Sequence, residues 1–154
     1  MVAVSLEGTE ILLVRHGRTE WNELGIIQGR QNSPLTALGR AQADALGRRI
    51  AASGRPVAAV YTSPLGRAVE TADIVATRLG HMGSIDAPKM VERCFGCLEA
   101  YSAEEGAAKH PEEHARNLSR DPAYVLPGNG ESRAEACARA LDGLREVART
   151  HPGQ

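Results

Sequence analysis

The sequence is short of several features that mark particular classes of protein. Aromatic residues make up 3% of the 154 residues, which argues against a surface that stacks nucleic-acid bases. The three cysteines, Cys94, Cys97 and Cys137, are too few and odd in number for a disulfide framework, so we expect reduced thiols. Purely aliphatic runs reach four residues, as at 11–14, far below the ~20 residues that a membrane-spanning helix needs.

The charge is nearly balanced, which excludes a further class. With 18 basic and 19 acidic residues the net charge is -1, so no overall field would hold nucleic acid or an anionic membrane. Glu7 and Glu10 interrupt the apolar stretch that a secretory signal would need at the start, and we expect a soluble cytoplasmic protein. Sixteen of the basic residues are arginine, whose planar guanidinium suits phosphate and carboxylate groups.

Strand-like and helix-like segments alternate along the chain. Apolar runs predict strands at Glu10–Arg15, at Val57–Tyr61 and around Ile85–Val91. Helical spacing and end signals predict helices over Thr36–Ser53, from Ser63-Pro64 to Leu79-Gly80, and over Arg133–Thr150. The alternation predicts an α/β fold, with helices on the faces of a mostly parallel sheet, in one domain over residues 1–154.

The same patterns predict which helical residues are buried and how the helices begin. Ser102 with Glu105, and Ser132 with Glu135, have the spacing of capping boxes. The predicted buried faces are Leu38, Ala41, Ala45, Leu46 and Ile50 in the first long helix and Ala134, Cys137, Leu141, Leu144 and Ala148 in the last. Prolines in the segment Ala107–Asn129 favour irregular structure there.

Polar motifs follow two of the predicted strands, where ligand sites lie in α/β folds. Arg15-His16-Gly17 places an imidazole beside a permanent cation, and the glycine allows a sharp turn. Further motifs surround these two strand ends: Thr19-Glu20-Trp21-Asn22, Gln28-Gly29, Pro34-Leu35-Thr36, Thr62-Ser63-Pro64-Leu65-Gly66-Arg67 and Thr71-Ala72.

With these motifs in this order, the sequence resembles the histidine phosphatase superfamily, also called the phosphoglycerate mutase-like family. The resemblance runs almost continuously over residues 10–72 and returns at Glu92 and at Gly130-Glu131-Ser132. It implies a three-layer α/β/α sandwich. It also implies a phosphoryl-transfer enzyme that acts on a small phosphorylated metabolite without a metal or other cofactor.

The resemblance also implies a role for individual residues. His16 would be the nucleophile that forms a phosphohistidine, and Glu92 would be the general acid. Arg15 and Arg67 would clamp the phosphate, with Asn22 in the same pocket. The chemistry is consistent, because arginines offer paired donors that keep their charge, and the imidazole must be neutral to attack. The acid near the leaving oxygen must be protonated, which burial would favour.

The sequence departs from the family pattern in three places. Asn32 stands where an Asp is frequent, and Ala100 follows Glu99 where a Gly is usual. The family's second catalytic histidine, in a His-Gly pair on a late strand, has no counterpart, because His151 follows a helix and is followed by Pro152. We therefore expect a domain that is incomplete at its C-terminal end, lacks its last strand and exposes a sheet edge, which makes a homo-oligomer possible.

Four functions remain open at this point. The first is a phosphomonoester phosphatase; a phosphoglycerate mutase and a non-catalytic phosphate-binding or regulatory protein are the alternatives. The fourth is a zinc module, since Cys94, Cys97, His110 and His114 have zinc-finger spacing. Pro111 opposes helical geometry at His110, and six acidic against two basic residues in 92–114 would repel DNA, so we expect no metal site.

Overall fold

The computed structural model describes residues 1–153, which form a mixed α/β protein. In chain order the elements are β1 Val2–Leu6, β2 Thr9–Leu13, α1 Glu20–Glu23, α2 Ala37–Ala52, β3 Tyr61–Thr62, α3 Gly66–Arg78, β4 Ile85–Asp86, α4 Ala103–Lys109, α5 Pro111–Ser119 and α6 Arg133–Thr150. Single 3₁₀ turns lie at Pro88–Met90 and Gly96–Leu98. None of the helices within residues 1–153 combines the length and apolar character needed to cross a membrane.

The strands pair two by two. β1 and β2 form an antiparallel hairpin whose turn, Glu7-Gly8, has φ values of 51° and 83°. Two positive φ angles give the turn the twist that a two-residue hairpin prefers. Strand β1 was not among the strands predicted from the sequence. β3 runs parallel to β4, with Tyr61 opposite Ile85. Only the end of the strand predicted at 57–61 joins a ladder, and the three-layer sandwich with a mostly parallel sheet stays a prediction.

Helices α2 and α3 pack through small residues. The buried residues of α2 are Gly39, Ala43, Gly47 and Ile50. A Cβ atom on Gly47 would lie 2.8 Å from Cβ of Arg78, so the two helices approach closely there. The face predicted for α2 was therefore wrong in part: Ile50 is buried, but Leu38 is 50% exposed. The hydrophobic pattern favoured large side chains, whereas close approach selects small ones.

The C-terminal third contains more helix than predicted. The prediction that Ala107–Asn129 is irregular was wrong for its first half, which includes the end of α4 and all of α5, and was confirmed for residues 120–129. Pro111 is the first residue of α5, a position where proline's missing N–H costs nothing. Helix α6 has the predicted bounds and the predicted Ser132–Glu135 capping box. Of its predicted stripe, Ala148 is buried while Leu141 is 40% exposed.

Candidate active site

His16 lies in the loop directly after β2 and is half-buried. Its Nδ1 is 2.7 Å from the carbonyl oxygen of Gly17. A carbonyl oxygen can only accept, so Nδ1 carries the hydrogen and the lone pair is on Nε2. The imidazole is therefore held in the tautomer that presents Nε2 as a nucleophile.

The surroundings of His16 favour its neutral form. Burial lowers the pKa of His16 below its ordinary value of 6.5, and the positive charges of Arg67 and Arg15 act in the same direction. The hydrogen bond to Gly17 and the charge of Glu92 oppose this lowering. The net effect is an uncharged imidazole at neutral pH. Four of the five predicted site residues, His16, Arg15, Arg67 and Glu92, are therefore close enough to interact electrostatically.

The backbone next to His16 is packed against α2 without room for side chains. A Cβ atom on Gly17 would lie 2.4 Å from the carbonyl oxygen of Gly39, and one on Gly39 would lie 2.1 Å from that of Arg18. The N–H of Gly17 donates to Oγ1 of Thr71 at 3.0 Å. The position of the loop is therefore set by direct backbone packing on the first turn of α2 and by a hydrogen bond to α3.

Arg67 lies in the first turn of α3 and is 3% exposed. Its Nη1 donates to the carbonyl of Gln31 at 2.6 Å and its Nη2 to that of Gly29 at 2.8 Å. Its Nε is buried and has no hydrogen-bond partner within residues 1–153. A buried guanidinium with an unused donor is an arrangement that an anion would complete.

Asn32, one of the departures from the family pattern, has a definite structural role. The residue before α3, Leu65, supplies no side-chain cap. Oδ1 of Asn32 instead accepts the N–H of Arg67 at 3.0 Å. Asn32 thus caps α3, although it lies 35 positions before Arg67 in the chain. An amide oxygen accepts a hydrogen bond as a carboxylate does, so this departure leaves the start of α3 capped.

The side chain of Asn22 caps the start of α1. Its Oδ1 accepts the N–H of Thr19 at 3.1 Å and completes a capping box. Oγ1 of Thr19 in turn accepts Nε2 of Gln28 at 2.7 Å, which ties α1 to the loop that Arg67 binds. A direct part for Asn22 in phosphate binding stays a prediction.

Glu92 lies in an irregular segment after the 3₁₀ turn Pro88–Met90 and is exposed. The burial that would favour a protonated acid is therefore not found at this position. Oε1 of Glu92 accepts the N–H of the next residue, Arg93, at 2.7 Å. The charge of Glu92 acts on both His16 and Arg67, so its carboxylate lies on the same side of the molecule as these two residues.

Sequence reasoning missed the polar network behind Glu92. Arg30, Glu131 and Arg139 form two salt bridges, with N–O distances of 3.1 and 2.6 Å. Glu131 belonged to a recognised motif, but Arg30 and Arg139 lay in none. No local pattern links Glu131 to Arg139, because Glu131 precedes the N-cap of α6 and Arg139 lies eight positions further along the chain.

The residues of the zinc pattern are arranged differently. Within residues 1–153 no group of three or more His, Cys, Asp or Glu side chains is placed to hold a metal ion. His110 has φ -137° between α4 and α5, which confirms the effect expected of Pro111. Burial raises the pKa values of Cys94 and Cys97, so both remain thiols at neutral pH. His151 follows α6, as predicted, with Nε2 3.1 Å from the hydroxyl of Tyr61.

Comparison with known proteins points to one family. The sequence profile of the histidine phosphatase superfamily (branch 1) matches residues 11–154. A metal-independent phosphoserine phosphatase from Arabidopsis thaliana is 40% identical over 99% of this chain and 64% of its own length. A 2,3-bisphosphoglycerate-dependent phosphoglycerate mutase from Bradyrhizobium is 35% identical over 85% of this chain and 64% of its own.

Solved structures agree in fold. YhfR of Bacillus stearothermophilus is 34% identical, with a TM-score of 0.79 over 90% of this chain and 67% of its own. A mycobacterial glucosyl-3-phosphoglycerate phosphatase in complex with VO3 is 28% identical, with a TM-score of 0.76 over 89% of this chain and 63% of its own. The chain thus spans just under two thirds of the length of the curated relatives it matches.

Proposed function

The chain belongs to the histidine phosphatase superfamily (branch 1), and from that membership we propose that the protein is a phosphomonoester phosphatase acting through a phosphohistidine on His16. One observation carries the proposal. A neutral imidazole with its lone pair on Nε2 lies in the field of a buried guanidinium, Arg67, whose Nε has no hydrogen-bond partner among residues 1–153.

The proposed reaction has two steps. Nε2 of His16 attacks phosphorus, the bond to the leaving oxygen breaks, and protonated Glu92 gives its proton to that oxygen. Water then attacks the phosphohistidine, the carboxylate of Glu92 takes a proton from the water, and phosphate and free histidine are regenerated. Arg15 and Arg67 stabilise the charge on the equatorial oxygens, and Asn22 contributes to the same pocket.

The proposed substrate is a small alkyl phosphate. Phosphoserine is the first compound to test, because a relative named as a phosphoserine phosphatase is 40% identical. Phosphoglycerate mutase activity is the second candidate, because relatives bearing that name are 35% identical. The proposed fold is a single three-layer α/β/α domain in which β2 and β3 belong to one mostly parallel sheet.

The test is phosphoryl transfer by the purified protein. We expect release of phosphate from phosphoserine and 4-nitrophenyl phosphate, and an acid-labile, alkali-stable phosphoprotein after brief incubation with labelled substrate. His16→Asn should abolish both signals, while His81→Asn, a histidine next to the exposed Met82, should change neither.

The other functions give different results. A mutase would convert phosphoglycerate isomers faster than it releases phosphate. A binding protein would hold phosphate or vanadate without turnover. Turnover that survives His16→Asn would overturn the phosphohistidine mechanism.

A further inference from the structure

The segment that carries Glu92 is held by side chains rather than by a helix or a strand. Residues 91–95 belong to neither kind of element, so their carbonyls find partners outside a ladder. We propose that Arg139, on α6, is a positioning residue that fixes Glu92 for proton transfer. This proposal rests on the function proposed above and deepens it.

The guanidinium of Arg139 is used on both of its edges. Nη1 donates to the carbonyl of Lys89 at 2.7 Å and to that of Val91 at 2.8 Å. Nε and Nη2 donate to the two carboxylate oxygens of Glu131 at 2.7 and 2.6 Å. One edge therefore binds the backbone just before Glu92, and the other is held in a paired, planar geometry.

A second arginine, Arg30, binds the backbone carbonyl of Glu92 itself. Nε of Arg30 donates to this oxygen at 3.2 Å, and Nη2 of Arg30 donates to Oε2 of Glu131 at 3.1 Å. Glu131 thus joins the two guanidinium groups that bind the backbone carbonyls of Lys89, Val91 and Glu92. The N–H of Glu131 also donates to the carbonyl of Cys94 at 3.0 Å, two residues beyond the acid.

The network is charged at neutral pH. The hydrogen bond from Arg139 lowers the pKa of Glu131, with Arg30 acting in the same direction, and Glu131 raises the pKa of Arg139. The side chains of Glu131 and Arg139 are 13% and 21% exposed, which limits screening by water. Such a network holds a backbone segment in one place, and a catalytic acid depends strongly on its position.

The test uses two substrates that differ in their need for an acid. The hydroxyl oxygen of serine must be protonated as it leaves phosphoserine, whereas nitrophenolate leaves 4-nitrophenyl phosphate without a proton. A misplaced acid therefore lowers kcat/KM for phosphoserine selectively, since general-acid catalysis is worth roughly 10²–10⁴-fold. A purely structural defect lowers kcat/KM for both substrates by the same factor.

We expect Arg139→Met to lower kcat/KM for phosphoserine by about tenfold or more, and for 4-nitrophenyl phosphate by less than about threefold. Glu131→Gln should act in the same sense and more weakly, and it tests the network if Arg139→Met fails to fold. Arg145→Met is the matched control, because Arg145 is an exposed arginine on the same helix.

The double variant Glu92→Gln/Arg139→Met identifies the route of the effect. If Arg139 acts through Glu92, the double variant loses no more activity on phosphoserine than Glu92→Gln alone. Equal losses on the two substrates, or additive losses in the double variant, would overturn the proposal for Arg139 and leave the proposed function standing. If the unaltered protein turns over neither substrate, the proposed function falls, and this inference falls with it.

Discussion

The two sides of the site are held in different ways. The loop of His16 is fixed by backbone packing: Gly17 and Gly39 leave no room for a Cβ, and Thr71 binds the loop from α3. The segment of Glu92 is fixed by charged side chains, chiefly Arg139 and its partner Glu131. The loop of His16 is held because backbone atoms are in contact, and the segment of Glu92 is held because charged side chains are paired.

The comparison explains how each side responds to change. Backbone contact is indifferent to pH and salt but tolerates no added atom. A network of charged hydrogen bonds accepts small changes in shape and depends on the ionisation of its members.

The largest effect is expected for Gly17→Ala. The added Cβ would lie 2.4 Å from a backbone oxygen of Gly39, which cannot turn aside as a side chain would. Overpacking of this kind costs about 1–3 kcal/mol, and a displacement of ~1 Å can cost ~100-fold in rate. Phosphatase assays and urea unfolding measure the two losses.

The control for that variant is Gly83→Ala. A Cβ there has only Oδ1 of Asp73 nearby, at 3.8 Å, and we expect nearly unchanged activity and stability. A Gly17→Ala protein as active as the Gly83→Ala protein would mean that backbone contact does not position His16.

A smaller, pH-dependent effect is expected for Glu131→Gln. Hydrogen bonds to charged groups contribute about 1.5–3 kcal/mol each, so the free energy of unfolding should fall by roughly that amount at pH 7. The pKa of Glu131 is lowered in the folded protein from 4.5, so its ionised form stabilises the fold above that value. The contribution is lost as the pH falls through the lowered pKa, and the two proteins should converge in acid.

Unfolding titrations at several pH values check this prediction. The control is Glu70→Gln, which breaks an exposed salt bridge: the side chain of Glu70 is 36% exposed and that of its partner Arg40 is 50% exposed. This variant should lower the free energy of unfolding by less than ~1 kcal/mol. A stability difference for Glu131→Gln that stays constant down to acid pH would show that the charge of Glu131 does not stabilise the segment of Glu92.

A gain of stability is expected for Ala100→Gly. Ala100 has φ 67°, a left-handed conformation that costs an L-residue about 1–2 kcal/mol and glycine almost nothing. After allowance for glycine's greater freedom in the unfolded chain, the net gain should be about 0.5–1 kcal/mol. Ala108→Gly, in the last turn of α4, should instead lose stability, by less than about 1 kcal/mol. Thermal unfolding of both variants tests the sign, and a loss at position 100 contradicts it.

The smallest effect is a displacement along the pH axis. Burial and two arginines lower the pKa of His16, so its titration by NMR should have a midpoint below 6.5. Arg15→Met removes one repulsion and should move the midpoint upward, toward that ordinary value. A midpoint above 6.5, or a downward shift in the variant, would mean that these charges do not act on the imidazole as the geometry indicates.

Much of the architecture could be predicted from local signals. The bounds of α6 and both capping boxes were confirmed, because caps and helical spacing depend on neighbours in the chain. The hairpin strand β1 and helix α5 were missed. In both cases a residue with strong local preferences, Gly8 or Pro111, was compatible with more than one structure until its surroundings were known.

The sequence by itself determined the family and the candidate nucleophile, His16. Both could be recognised because each motif, such as Arg15-His16-Gly17, consists of a few consecutive residues. Only the tertiary structure decided what holds the site. Asn32 caps a helix that begins 34 residues later, and Arg139 reaches a carbonyl 48 positions away. Such contacts are absent from local patterns, because a hydrogen bond depends on distance in space and is indifferent to distance along the chain.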